Sequence, residues 1–113
     1  MSTSLSIRLA PEEVRTLAFG SIGATYMGVG SVMTKPIRIF LLQNLTDAEL
    51  MFSFDGITDH LPLPANGYIL LDITANKTRE SGYYLAEGTR IYVKETGTPT
   101  SGNVYLTTFY GAI

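Results

Sequence analysis

His60 is the single histidine of this chain, and Asp55 and Asp59 lie close to it in sequence. A histidine oriented by a carboxylate and hydrogen-bonded to a serine is the arrangement of acyl transfer. The nucleophile's end of that constellation is missing. No Gly-x-Ser-x-Gly elbow places a serine on a strained turn. His60 therefore reads as a polar residue on an exposed loop. Asp47, Asp55, Asp59 and Asp72 offer oxygen for calcium or magnesium, but a hard cation needs about six oxygens converging on one point. Their spacing is not that of a calcium-binding loop, and Asp47 and Asp55 are better explained as turn residues bonding their own backbone. Gly20, Gly23, Gly28 and Gly30 lack both the Lys-Ser/Thr of a phosphate loop and the spacing of a dinucleotide turn. They read as bulges or bends. Asn44-Leu-Thr46 and Asn76-Lys-Thr78 match the glycosylation acceptor pattern. The opening Met1-Ser-Thr-Ser-Leu-Ser6, however, lacks the basic start and apolar stretch of a secretory signal. The expectation is a protein that is not an enzyme, with no catalytic residue, cofactor or metal.

The totals narrow the class further. A length of 113 residues predicts one domain. There is no cysteine, so neither a disulfide nor a thiolate metal site can form. The net charge is −2, and the eight basic residues are scattered, which argues against nucleic acid as a partner. Apolar runs such as Ile39 to Leu42 are far too short to span a membrane as a helix. Charged residues make up 16% of the chain, against about 25% in an average soluble domain. Either Thr, Ser and Asn carry the surface, or other subunits cover much of it.

The elements that must position these residues are strands. Ile37–Leu42, Ala48–Phe54, Tyr68–Thr74, Thr89–Lys94 and Asn103–Tyr110 are rich in β-branched and aromatic residues, and turn formers bound most of them. A period of two places Ala48, Leu50, Phe52 and Phe54 on one face, with Ile69, Leu71 and Ile73 on one face of the next strand. It turns Ile91 and Val93 inward and sets Val104, Leu106, Thr108 and Tyr110 against Tyr105, Thr107 and Phe109. Asn44-Leu-Thr-Asp47 reads as a turn, Asp55-Gly56 as another, and His60-Leu-Pro-Leu-Pro64 as extended chain. Shorter strands are expected over Val14–Phe19, Ala24–Met27 and Tyr83–Leu85, with a loop over Asn76–Gly82. Pro11-Glu-Glu13 could instead open a short helix. With no helical crossover between the strands, the predicted fold is an all-β antiparallel sandwich, jelly-roll-like. Residues 1–12 form an extended N-terminal arm or edge strand, and residues 13–113 form the sandwich domain.

If Leu50, Phe52, Ile91, Val93, Val104 and Leu106 fill the core, then Met51, Tyr92, Tyr105 and Phe109 lie outward. Strand 37–42 is apolar on both sides, which nominates Phe40 and Leu42 for the surface, together with Leu5 and Ile7 of the arm. Exposed aromatics and Met mark interaction surfaces. These eight residues are the candidate interface. Tyr83, Tyr84, Tyr92 and Tyr105 also suit a second reading, in which they stack on sugar rings in a carbohydrate- or receptor-binding module.

From Arg15 to Gly111 the chain resembles small structural proteins of tailed bacteriophages. The likeness lies in an ordered series. It runs through Arg15-Thr-Leu-Ala-Phe19, Val29-Gly30, Pro36-Ile-Arg-Ile39, Gln43-Asn-Leu-Thr-Asp47, Ser53-Phe-Asp-Gly56, Pro64-Ala-Asn-Gly67, Asp72 and Asn76-Lys77. It ends with Gly88-Thr-Arg-Ile-Tyr-Val-Lys94 and Ser101-Gly-Asn-Val-Tyr105 before Phe109-Tyr-Gly111. The resemblance implies a non-catalytic virion protein of the neck, collar or head-decoration type. Its expected partners are copies of itself, as a homo-oligomer, and other virion proteins. It transfers no catalytic motif.

Overall fold

The computed structural model describes residues 8–72 and 86–112. These form nine strands: β1 (Arg8–Pro11), β2 (Arg15–Ala18), β3 (Met27–Gly28), β4 (Ile37–Thr46), β5 (Leu50–Ser53), β6 (Leu61–Leu63), β7 (Tyr68–Asp72), β8 (Tyr92–Glu95) and β9 (Gly102–Ala112). A single 3₁₀ turn follows β2 at Phe19–Ser21, and the described residues contain no α-helix. The larger sheet runs β1-β9-β4-β7, with β2 also on β9, and the smaller runs β3-β8-β5-β6. All pairings are antiparallel. Two sheets packed face to face make the chain an all-β sandwich. Between sheets the chain crosses at every step from β2 onward except β5 to β6.

The core lies between the inner faces. Phe40, Leu42, Val104 and Leu106 come from the larger sheet, and Leu50, Phe52, Leu63 and Val93 from the smaller, with Ile22, Val29, Met33 and Ile91 closing the sides. The inward set expected from alternation, Leu50, Phe52, Ile91, Val93, Val104 and Leu106, is buried throughout.

Two bulges change what the pattern predicts. On β4 the register with β9 shifts between Ile37 and Ile39, so that Ile37 lies opposite Tyr110 and Ile39 opposite Phe109. One extra residue, Arg38, reverses the parity of everything after it. Ile37 then shares the inner face with Phe40 and Leu42, not with Ile39 and Leu41. The second bulge lies between β1 and β2. Pro11 lies opposite Phe109 and Arg15 opposite Leu106, so residues 12–14 oppose only Thr107 and Thr108. No helix starts at Pro11.

Other boundaries move as well. Asn44 is not in a turn: β4 continues to Thr46, and Asn44 is wholly buried within it. The strand expected over Ala48–Phe54 shortens to β5, and of that expected over Ala24–Met27 only Met27 is in a strand, together with Gly28 in β3. Ile73, Tyr83–Leu85 and the loop over Asn76–Gly82 lie outside the described residues, as do residues 1–7 of the arm. Residues 8–11 pair with β9 as an edge strand of the larger sheet.

Candidate functional site

The residues with chemical potential are engaged by the backbone around them. Asp55 Oδ1 accepts the N–H groups of Ile57 and Thr58, each at 2.8 Å, and the Ser53 hydroxyl at 2.8 Å. Those donors hold its carboxyl well below the usual carboxylate range. His60 Nδ1 accepts the Phe54 N–H at 3.0 Å, and its ring meets the Phe54 ring edge-on. Asp59 accepts the Tyr26 hydroxyl and pairs with Lys94 at 3.0 Å. Asp47 accepts the Thr100 and Ser101 N–H groups and the Thr100 hydroxyl. Asp72 stands across the sandwich edge on β7. Among the described residues, no three His, Cys, Asp or Glu side chains are grouped to share a metal ion.

Sequence reasoning missed one polar cluster. Glu12 and Arg15 are almost wholly enclosed and pair at 2.9 Å. Arg15 also donates to Thr108 Oγ1 at 2.9 Å, to the Ser31 carbonyl at 2.8 Å and to the Val32 carbonyl at 2.9 Å. Glu12 accepts the Thr108 hydroxyl at 2.9 Å, and the Thr34 N–H at 3.0 Å with its hydroxyl. Burial pushes the Glu12 carboxyl up, but the bonds from Thr34, Thr108 and Arg15 outweigh it and hold the group low. Gly30, at φ +68°, lets the Arg15 stem lie against the backbone, where a Cβ would stand 2.7 Å from it. A shallow depression opens beside this cluster, lined by Glu12, Glu13, Arg15 and Thr34. Glu12 and Arg15 are spent on each other and on their threonine and carbonyl partners, so the cluster is an anchor that ties the 30–34 loop to β2 and β9.

What remains unspent is the outer face of the larger sheet. Alternation and register set three rows across it: Tyr68–Gln43–Tyr105, Leu70–Leu41–Thr107 and Asp72–Ile39–Phe109. Leu45 and Asn103 extend β4 and β9, while Thr16 and Ala18 continue the face on β2. The one charged side chain among them is that of Asp72. Asp72 and the bulged Arg38 stand at one end. Tyr68 is 67% exposed, Leu70 57% and Leu45 41%. Three inter-strand spacings of about 4.8 Å and six rises of about 3.4 Å give a projected area of roughly 300 Å², the size at which exposed apolar patches are usually functional.

The candidate interface residues fall into different places. Tyr105 and Phe109 lie on this outer face, half-buried by their neighbours. Met51 and Tyr92 lie on the outer side of the smaller sheet, where Met51 sits opposite Lys94 and Pro62. Tyr92 is held between the Gly56 backbone and the Arg90 guanidinium, 5.7 Å from its ring centre. Phe40 and Leu42 are core residues, and the bulge at Arg38 is the reason. Leu5 and Ile7 lie outside the described residues. On the outer face of the larger sheet, Ile39, Leu41, Leu45, Tyr68 and Leu70 are residues that sequence reasoning did not nominate. The apolar character of both sides of strand 37–42 was the available signal, and the extra residue assigned it to the wrong side.

No family model matches the sequence, and neither the curated proteins nor the solved structures offer a match.

Proposed function

We propose that this chain is a non-catalytic structural protein of a tailed bacteriophage, mounted on the head, neck or tail. Copies of it assemble as a homo-oligomer and stabilise the particle. One observation carries the reading: the outer face of the larger sheet is largely apolar across four strands, carries a single charge at one end, Asp72, and is exposed along β7. Connectivity supports it. With β1 and β2 counted as one bulged strand, the described residues place four strands in each sheet and keep only one hairpin within a sheet. That order supports the jelly-roll reading, an architecture that capsid proteins share with lectins. The ordered sequence resemblance to phage structural proteins adds to it. The mechanism is area burial, contributing about 25 cal/mol per Å² of apolar surface before association costs.

The test is sedimentation together with add-back to particles lacking the protein. The parent chain should self-associate and bind the particles, and Leu41→Arg should do neither while remaining folded. A monodisperse monomer with no affinity for the particles sinks the proposal.

A second reading, a carbohydrate-binding module, draws on the row in which Tyr68 and Tyr105 flank Gln43. Glycan-array binding that disappears in Tyr105→Ala, from a chain with no affinity for particles, would favour it.

A further inference from the structure

We propose that β7 pairs with the β7 of a second copy of this chain, antiparallel about a two-fold axis at Leu70. The two larger sheets then join into one continuous sheet. The inference rests on the reading above that copies of this chain meet, and it names where.

Unprotected sheet edges recruit strands, and proteins blunt them with proline, bulges, charge or brevity. Three of the four edges here are blunted. The β1–β2 edge carries Pro11 and a bulge, β3 has two residues, and β6 has three with Pro62 at its centre. β7 has five residues, no proline, no lysine and an unshifted register with β4. Among the described residues no strand pairs with its other side.

The ladder fixes which groups face outward. The Asn44 N–H donates to the Gly67 carbonyl at 2.8 Å, one step beyond the Gln43–Tyr68 pair. Antiparallel ladders alternate, so Ile69 and Leu71 bond to β4, while the N–H and C=O of Tyr68 and Leu70 point away from it. A symmetric partner strand therefore sets Leu70 against its own copy and Tyr68 against Asp72 of that copy. Ile69 meets Leu71 on the inner side. No pair opposes like charges, and Asp72, the acidic residue of β7, falls beside a tyrosine. Pairing also doubles an apolar face of roughly 300 Å², which alone is well short of the ~800 Å² that one partner buries in a standard interface.

The chain has no cysteine, so a single introduced thiol reports on the geometry. Hydrogen-bonded antiparallel partners stand about 5.5 Å apart at Cα, within disulfide reach. Leu70→Cys should cross-link to a covalent dimer on mild oxidation, at least tenfold faster than Tyr68→Cys. Tyr68→Cys combined with Asp72→Cys should recover cross-linking. Leu70→Pro deletes an outward N–H without touching the β4 bonds, and should halve the mass of the species joined at this edge. Equal cross-linking by Leu70→Cys and Tyr68→Cys overturns the inference, as does an unchanged mass for Leu70→Pro. So does a monomeric parent chain whose β7 amides are already protected from exchange, because its own chain would then cover the edge. If Leu41→Arg abolishes association while Leu70→Pro does not, only the edge pairing fails. If the edge behaves as expected and the chain never binds particles, only the functional reading fails.

Discussion

Glu12 and Arg15 are three residues apart on one edge of the sheet, yet both point inward and pair at 2.9 Å. On a regular strand, residues three apart face opposite sides. The extra residue between β1 and β2 removes that conflict and lets both reach Thr108 on β9.

The pair is not interchangeable with either half of it. Arg15→Ala leaves a buried carboxylate without its cation and should cost about 3–5 kcal/mol in chemical denaturation. Glu12→Leu together with Arg15→Met should cost clearly less than the two single changes summed. Additive costs in that double-mutant cycle would refute direct coupling.

Acid should expose the same pair. The Glu12 carboxyl titrates below its ordinary 4.5 in the folded chain, so its ionised form stabilises the fold above that pH. This contribution is lost as the pH falls through the lower folded value. The parent chain should lose stability on acidification below 4.5, and Glu12→Gln should lose less over the same range. Parallel denaturation series that keep a constant difference would count against it.

Asn44 ties the sheets together. Its amide nitrogen contacts the carbonyls of Ala48, Leu63 and Pro64, and its oxygen accepts the Thr46 N–H and hydroxyl. Asn44→Ala strands several buried backbone groups and should cost about 1–3 kcal/mol by thermal or urea unfolding. Asn44→Asp, which has no N–H to give, should be no better.

Gly102 opens β9 at φ +94°, and a Cβ there would stand 2.0 Å from the Leu45 carbonyl oxygen. Gly102→Ala adds backbone strain to a clash with the neighbouring strand, at about 2–5 kcal/mol together. Gly20→Ala, where a Cβ meets nothing within 4 Å, is the matched control and should be nearly silent in the same melt.

The part of the fold legible in the sequence is the part governed by simple alternation. Leu50, Phe52, Ile91, Val93, Val104 and Leu106 could be assigned inward because no extra residue interrupts their strands. Phe40 and Leu42 could not. A bulge at Arg38 leaves no mark in a run where every neighbour is apolar, and a single inserted position exchanges core for surface. Asn44 and Thr46 were hidden for another reason. Asn-Leu-Thr-Asp is good turn chemistry, but the same side chains also satisfy the backbone of a turn two residues later while staying in a strand. The Glu12–Arg15 cluster depends on Thr34 and Thr108, which pattern alone cannot bring together. Of the surface nominated from sequence, Tyr105 and Phe109 remain on the outer face because β9 runs unbroken through them.

β9 lies between β1–β2 on one flank and β4 on the other, and among the described residues it follows every other strand in chain order. During synthesis, the piece that bridges the larger sheet thus leaves the ribosome only after the other described strands. Until it does, β1 and β2 lack their partner strand, and closure must wait for contacts as distant in sequence as Arg8 with Ala112. A nascent chain of this design is vulnerable in the interval before β9 emerges, when chaperones and identical chains on the same message compete for it.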